Sequence, residues 1–344
     1  MMAISERRRR GRPGAGRVVD VRDEADRGRE ATGPQQIPPR GWRDVLLRLR
    51  RDLKEDQVPL VAAGVAFYAM LSLFPAMIAA ISVYGLVVDP QQVADQVKRL
   101  TEIIPQDAAN LIAGQLDSVA RSTPRNLGVG LVVSVLVALW SASSGMKALV
   151  AGVNIAYDEH ETRGFLKLRG LALALTAGAI VVVALALAAA VAFPAIVGEL
   201  PGGDLLATAA SWLRWPILAA FVIAGLAVLF RLAPDRDHPR FRWVSGGALV
   251  ATAFWLLASV GFSFYVDNFG SYNQTYGSIA AVAILMLWLY LTAFLVLVGA
   301  ELNSQLELQT RRDSTTGAEQ PLGERGAVAA DTVAERPPAR RERS

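Results

Sequence analysis

The stretch SIAAVAILMLWLYLTAFLVLVGAEL, residues 278–302, decides the fold class of this chain. It carries no charged residue before Glu301. A helix of about 20 apolar residues is long enough to cross the hydrocarbon core of a bilayer. Five earlier stretches have a similar length and composition, at 60–88, 127–151, 170–197, 212–232 and 243–266. The sequence therefore predicts an all-α polytopic membrane protein, built as a bundle of six transmembrane helices within residues 57–308.

The segments around the spans complete the predicted domain organisation. Residues 1–40 and 309–344 are rich in Arg, Glu, Gly and Pro, which predicts disordered tails because such segments have little apolar surface to bury. Residues 89–126 hold two short amphipathic stretches, which predict a small helical cap on the outer surface between spans one and two.

Residues 41–56 predict an amphipathic helix with a basic polar face. Such a helix is typical of a segment that lies in the headgroup region of a membrane, although packing against the end of the bundle is an open alternative. Its predicted apolar face consists of Trp42, Val45, Leu46, Leu49 and Leu53.

The basic residues near the spans predict the orientation. With the N-terminus inside, fifteen Lys and Arg residues flank the spans on the inner side and five on the outer side. Because cytoplasmic loops carry the excess of basic residues, both termini are predicted to lie in the cytoplasm. The chain is therefore predicted to be a multi-pass membrane protein with an even number of spans.

Residues that could support catalysis are scarce. The chain has no Cys, and its two histidines, His160 and His238, have no partner at metal-ligand spacing. Neither a catalytic site nor a metal nor a cofactor is predicted, and the protein is not expected to be an enzyme. Specific nucleic-acid binding is not expected either, although the Arg-rich N-terminus could touch nucleic acid or anionic lipid.

Polar residues inside and beside the spans are the candidates for a cavity or gate. Hydroxyls that face lipid gain nothing, so the serines of span two should face the bundle interior, either as glue between helices or as the lining of a groove. Pro75 favours a kink in span one, with Ser72 near the carbonyl that it frees. The candidate residues are Ser72, Pro75, Ser141, Ser144, Lys147, Asn154, Tyr272, Asn273, Thr275, Tyr276 and Glu301.

Lys147 and Glu301 both arrive near the inner interface if spans two and six run inward. We hypothesise that these two charges pair and close the cytoplasmic side of a central cavity. The alternative is that Lys147 extends to the headgroups on its own.

Taken together, these segments resemble the YihY/BrkB family of bacterial inner-membrane proteins over about residues 42–308. The resemblance implies an integral membrane protein but leaves the activity open, since some members carry a ribonuclease label and others a virulence label. It rests on 66-AFY-68 with 71-LS-72 and Pro75, 140-WSAS-143, 154-NIAY-157, 272-YNQTYGS-278, 287-LWLY-290 and 299-GAELN-303.

The leading functional hypothesis is transporter-like handling of a lipid, an amphiphile or a small solute within the bundle. The alternative is a non-catalytic membrane scaffold for envelope assembly or stress resistance, and a ribonuclease is the third reading. Membrane lipids are the expected partners, and faces rich in Ala and Gly leave self-association open.

Overall fold

The computed structural model describes residues 26–87, 124–198, 203–269 and 278–334. Its regular structure is helical throughout these ranges, apart from one isolated antiparallel bridge between Pro239 and Thr315. The all-α prediction is confirmed for the part of the chain that is described.

Six of the helices, α2 to α7, are 29 to 34 residues long. At about 1.5 Å per residue each is about 45 Å long, which exceeds the roughly 30 Å of a bilayer core. A single 3₁₀ turn, Pro34–Gln36, precedes the first helix. The helices are α1 Pro39–Glu55, α2 Val58–Val87, α3 Pro124–Ala156, α4 Phe165–Gly198, α5 Gly203–Leu232, α6 Phe241–Phe269, α7 Ser278–Glu307 and α8 Val328–Asp331.

Four helices contain a described segment that is long and apolar enough to cross a membrane: Phe165–Ala186, Trp215–Leu232, Phe241–Val266 and Ala280–Glu307. A fifth span is obtained if α1 and the first part of α2, which meet at an angle of 61°, count as one broken span. The structure thus supports four or five of the six predicted spans, and the count of six stays a prediction. The predicted outer cap falls almost wholly on residues 88–123, which lie outside the described ranges.

Each long helix packs against its neighbour in sequence, and α7 packs back against α2, so that α2 to α7 form a closed ring. In addition, α7 contacts α1 and α3. We call the end of the ring where α2, α4 and α6 begin and α3, α5 and α7 end the tail end, because both chain tails lie there.

The apolar core lies in the half of the ring next to the tail end. Its fully buried members include Val150, Val153, Phe230 and Trp243. The closest helix crossing joins α6 and α7, where a Cβ atom on Gly299 would lie 2.8 Å from the Gly247 carbonyl oxygen and 2.8 Å from the Ala251 Cβ atom. This close approach needs glycine, and it fixes α7 against α6.

Residues 26–40 and 309–334 differ from the expectation of disordered tails, because both segments pack on the tail end. The Arg29 guanidinium donates hydrogen bonds to the carbonyls of Leu308, Gln309 and Ala334. The Arg325 guanidinium likewise donates to three carbonyls of the C-terminal segment. These segments are held by polar contacts to backbone together with the burial of a few apolar side chains, such as Ala31, Ile37 and Ala329. Composition carries no signal for such contacts.

Helix α1 also differs from its predicted orientation. Val45 is fully buried against the bundle, while Leu46 is exposed. The buried face of α1 is largely charged and includes Asp44, Arg48 and Asp52. The chain then turns into α2 at Gln57, whose φ of 50° is uncommon for a residue other than glycine. Packing against the bundle, the alternative left open by the sequence, therefore describes most of this helix.

Candidate functional site

The last turns of α7 form a buried polar strip at the tail end. The sequence 301-ELNSQLELQ-309 places Glu301, Asn303, Gln305, Glu307 and Gln309 in the protein interior, where each is at most 2% exposed. Buried polar groups are costly unless they are hydrogen-bonded, so the partners of this strip define how the tail end is held together.

Glu307 forms a fully buried ion pair with Arg236. The Arg236 guanidinium donates to both Glu307 carboxylate oxygens, at 3.3 Å and 2.8 Å, and the Ser314 hydroxyl donates to the Oε2 atom at 2.5 Å. Burial lowers the pKa of Arg236, but the charge and hydrogen bonds of Glu307 outweigh that effect, and the pKa lies above its usual value. The ion pair therefore joins α7, the loop after α5 and the C-terminal segment.

The Arg236 guanidinium also lies over the ring of Tyr157, 5.3 Å from the ring centroid. Tyr157 is fully buried, and burial together with the negative charge of Glu307 raises the pKa of its hydroxyl well above the usual value. Tyr157 follows α3 directly, so this contact adds α3 to the elements held by the ion pair.

A second chain of hydrogen bonds joins α1 to α7 through Gln305. Arg48 donates from Nε to Gln305 Oε1 at 2.9 Å and from an Nη atom to Gln309 Oε1 at 2.7 Å. Gln305 donates to Asp52 at 2.8 Å and to Glu301 at 3.5 Å. The amide of Gln305 thus links a buried cation to two buried carboxylates.

Glu301 and Lys147 do not pair in the structure. Glu301 is 1% exposed, and among the described residues its carboxylate accepts one hydrogen bond, from Gln305, while its Oε2 atom has no partner. Lys147 lies exposed on α3. The hypothesis that these two charges close the bundle is therefore not carried by the geometry, and the closing contacts are those of Glu307 and Gln305.

Asn154 connects three segments of the tail end. Its side-chain amide donates to Glu161 at 3.0 Å, and its carbonyl oxygen accepts from the Asp235 backbone N–H at 2.8 Å. The Arg163 guanidinium bonds Glu161 and holds the pKa of that carboxyl below its usual value. Burial raises the pKa of Asp235, but hydrogen bonds from Thr162 reverse this effect and the pKa is lowered. Asn154 is thus a junction of structural contacts and does not line an open cavity.

Ser72 inserts its hydroxyl into helix α3. The Ser72 Oγ atom lies 3.3 Å from the Ser141 carbonyl oxygen and accepts a 3.1 Å hydrogen bond from the Gly145 N–H. It also donates to the Tyr68 carbonyl of its own helix at 2.7 Å. The Ser72 hydroxyl therefore forms a contact between α2 and the backbone of α3.

Ser144 faces a cation on α4. Its hydroxyl lies 3.4 Å from an Nη atom of Arg169, and the other Nη atom of Arg169 donates to the Trp140 carbonyl. The guanidinium carbon of Arg169 stands 4.0 Å from the centroid of the Trp140 ring. Within the part of the chain that the structure describes, no carboxylate lies within ion-pair distance of Arg169.

Beyond this contact, the side of α4 that faces α3 becomes exposed. Arg169, Ala172 and Thr176 share this side and are buried, whereas Ile180 and Val183 continue it at 55% and 57% exposure. Positions 3, 7, 11 and 14 residues after Arg169 lie on the same side of a helix because one turn takes 3.6 residues. The two helices are therefore in contact near the tail end and uncovered further along.

The facing side of α3 is uncovered as well. Trp140 contacts Arg169, and Leu136 and Val137 lie one turn further along that side, at 58% and 60% exposure. We call the surface formed by Leu136, Val137, Trp140, Ile180 and Val183 the α3–α4 opening.

Several predicted residues cannot be placed on this site. Tyr272, Asn273, Thr275 and Tyr276 lie outside the described residues. Pro75 lies within α2, and its role in a kink stays a prediction. His160 and His238 are exposed, and the described residues hold no group of three or more His, Cys, Asp or Glu that could bind a metal ion.

Sequence reasoning missed the most connected residues of the site. Arg236 and Arg169 were counted only among the basic residues of the inner side, because basic residues near the ends of spans are also typical of residues that face headgroups, and Glu307 was not singled out. A usable signal existed in 301-ELNSQLELQ-309, where polar residues alternate with leucines at the end of an apolar helix.

Comparison with known proteins identifies the family. Putative ribonuclease-like protein YfkH of Bacillus subtilis is 32% identical over 251 residues, which are 71% of this chain and 88% of that protein. UPF0761 membrane protein Mpe_A1422 of Methylibium petroleiphilum is 29% identical over 272 residues, 75% of this chain and 61% of that protein. UPF0761 membrane protein PBPRA3489 of Photobacterium profundum is 27% identical over 269 residues, 76% of this chain and 80% of that protein.

No solved structure matches the chain. The profile of the family described as Virulence factor BrkB matches residues 49–323, from within α1 to the C-terminal segment. The resemblance seen in the sequence motifs is thereby confirmed, and this chain is an integral membrane protein that belongs to the BrkB family.

Proposed function

We propose that this protein handles a lipid, an amphiphile or a small solute in the space between its helices, in the manner of a transporter. The observation that carries the proposal is the α3–α4 opening, where one side of α4 passes from buried at Thr176 to 57% exposed at Val183. A bundle that is sealed at one end and open to the side further along offers a route from the bilayer into its interior.

The proposal includes six spans and a cytoplasmic tail end in a bacterial inner membrane. Helices α2 and α3, with 30 and 33 residues, have the length to serve as the first two spans. The exposed basic residues at the tail end, such as Arg43, Arg50, Lys147 and Lys167, support a cytoplasmic position for this end.

The topology can be tested by labelling a single introduced cysteine, because the chain has no cysteine of its own that would react. Ala318→Cys places one thiol on the exposed C-terminal segment. In intact cells, a membrane-impermeant maleimide should leave this thiol unlabelled, and it should react after the membrane is opened. Labelling in intact cells would contradict a cytoplasmic tail end.

The transport proposal is tested by lipid movement in liposomes that contain the purified protein. Fluorescent lipids in the inner leaflet should lose their protection from an external quencher faster than in protein-free liposomes. A bulky change at the opening, Val183→Trp, should slow this loss. Leu257→Trp on α6, at a position that is 68% exposed, serves as the matched control and should leave the rate unchanged. Equal rates with and without protein, across several lipid types, would reject the proposal.

The name of the Bacillus subtilis relative supplies a second candidate, an activity on RNA. That name applies to the relative, and His160 and His238 are the residues of this chain to test first. Purified protein that cleaves RNA in a metal-dependent manner, with loss of cleavage in His160→Ala or His238→Ala, would replace the transport proposal.

A further inference from the structure

A buried cation, Arg169, lies at the end of the α3–α4 opening next to the tail end, and it has no counter-ion among the described residues. Arg169 is 8% exposed and lies within the segment Phe165–Ala186, which is apolar enough to cross a membrane. A buried charge is costly unless a counter-charge compensates it, and ionisable residues inside spans are usually functional. Among the described residues, the partners of Arg169 are a carbonyl, a hydroxyl and an indole ring, none of which carries a negative charge.

The donors of Arg169 are only partly used. A guanidinium has five N–H groups, and the contacts to Trp140 and Ser144 engage one on each Nη atom. The Nε atom is buried and has no partner. The remaining N–H groups include those on the edge that binds carboxylate or phosphate oxygens in a two-bonded fork.

The surface next to Arg169 is apolar and suits the apolar part of an amphiphilic ligand. Leu136, Val137 and Ile180 are apolar and more than half exposed along the opening. The Trp140 ring covers one face of the guanidinium, whose buried Nε atom has no hydrogen-bond partner among the described residues. We propose that Arg169 binds the phosphate oxyanion of a ligand whose apolar part lies along the α3–α4 opening.

This assignment rests on the proposed function, because it names the chemical class of the molecule that the opening admits. Phosphate oxygens reach the site either in the headgroup of an anionic lipid or in a soluble phosphate compound. The apolar lining favours the lipid.

The test measures binding and is separate from transport. Protein freed of lipid in detergent is titrated with dioctanoyl phosphatidylglycerol, with dioctanoyl phosphatidylcholine and with inorganic phosphate, while thermal stabilisation and native mass spectra are recorded. Stabilisation by dioctanoyl phosphatidylglycerol, but by neither of the other two compounds, assigns the site to an anionic lipid. Stabilisation by inorganic phosphate as well assigns it to the oxyanion whatever its source.

Arg169→Met is the decisive variant. Replacing an uncompensated buried charge by an apolar side chain of similar length is often neutral or stabilising, so the ligand-free variant should melt no lower than the native chain. Its affinity for the anionic ligand should fall at least about tenfold, because a forked, charge-assisted pair is lost. Arg231→Met is the matched control, since the Arg231 guanidinium lies 4.2 Å from the Phe241 ring centroid at the same end of the bundle.

Anion binding that survives Arg169→Met, or that falls equally in Arg231→Met, would overturn the assignment. If Arg169→Met does not fold, the Arg169→Lys variant tests the assignment instead, because lysine keeps the positive charge but cannot donate two parallel hydrogen bonds to one anion. A preference for anionic over zwitterionic lipid that persists with weaker affinity supports the assignment, and a complete loss of that preference rejects it. If the protein binds the anionic lipid but does not move lipid in liposomes, the transport proposal is rejected and the assignment of Arg169 as an anion-binding residue stands.

Discussion

The two halves of the helix ring differ in the contacts that hold their helices together. In the half next to the tail end, helices cross at glycines, apolar side chains are fully buried, and a buried ion pair links α7 to the loop after α5. In the described part of the other half, α4 is exposed at residues 178–181 and 183–185, and a Cβ atom on Gly178 or Gly261 would meet nothing within 4 Å. Specific polar contacts therefore hold one half, whereas lipid can cover the apolar surfaces of the other.

This difference matters because lipid supplies no hydrophobic force that drives helices together. Helix association in a membrane depends on close packing and polar contacts instead. The tail end has both, whereas Ile180 and Val183, on the α3-facing side of the described part of α4, are more than half exposed. The proposed passage through the α3–α4 opening would use the half that has fewer of these contacts.

The largest expected effect comes from breaking the buried ion pair. Glu307→Ala leaves the Arg236 guanidinium buried and uncompensated, and such a change costs about 3–5 kcal/mol of unfolding free energy. Thermal unfolding of the purified protein in detergent measures the loss. Glu319→Ala is the matched control, because Glu319 is exposed and lies 3.9 Å from Arg312. This exposed pair contributes at most about 1 kcal/mol. Similar melting temperatures for the two variants would contradict the assigned importance of the pair.

The second effect compares one glycine from each half. In Gly299→Ala the new methyl group would lie 2.8 Å from both the Gly247 carbonyl oxygen and the Ala251 Cβ atom, so α6 and α7 must separate. Overpacking of this kind typically costs about 1–3 kcal/mol. In Gly178→Ala the methyl group meets open space, and alanine should stabilise the helix by about 0.5–1 kcal/mol. Thermal unfolding of both variants in the same detergent should move the melting temperature in opposite directions. Destabilisation by both changes would mean that α4 is packed on this side after all.

The same division explains how much could be read from the sequence. The long apolar stretches located the six long helices, because hydropathy over about 20 residues has a direct physical cause in the thickness of a bilayer. The predicted ends lie within five residues of the helix ends except at α5, which begins at Gly203, nine residues before the predicted start. Contacts between distant segments were out of reach. Nothing in the pattern around Glu307 names Arg236 as its partner, and Arg169 has the spacing of an ordinary flanking charge.

Some residues predicted to line a cavity or gate lie at contacts between segments in the structure, and their role in a cavity stays a prediction. Ser72, Ser144 and Asn154 do take part in contacts between segments, but as structural junctions. Glu301 is buried beside Gln305, whereas Lys147 is exposed, so their shared depth in the membrane did not bring them together. Depth follows from counting residues along a helix, whereas the direction of a side chain also depends on how each helix is rotated in the ring.

The smallest expected effect is a loss of local stability at acidic pH in the two loops of the tail end that contain Glu161 and Asp235. The pKa of Glu161 is lowered, chiefly by the hydrogen bonds from Arg163, and the pKa of Asp235 is lowered by hydrogen bonds from Thr162 that outweigh its burial. A carboxyl with a lower pKa in the folded state stabilises that state at neutral pH. This contribution is lost as the pH falls from the usual carboxyl pKa of about 4 through the lower folded-state pKa. Amide hydrogen exchange of residues 158–164 and 233–240, corrected for intrinsic rates, should therefore stay slow from pH 7 down to about pH 4 and accelerate between about pH 4 and about pH 2, while peptides from the middle of α7 stay protected. In Glu161→Gln the exchange of residues 158–164 should already be faster at pH 7 and should respond less to acid, because the titrating partner of Arg163 is gone. Loop exchange in the native chain that is the same at about pH 4 and at about pH 2 would show that these ion pairs do not hold the loops at the tail end.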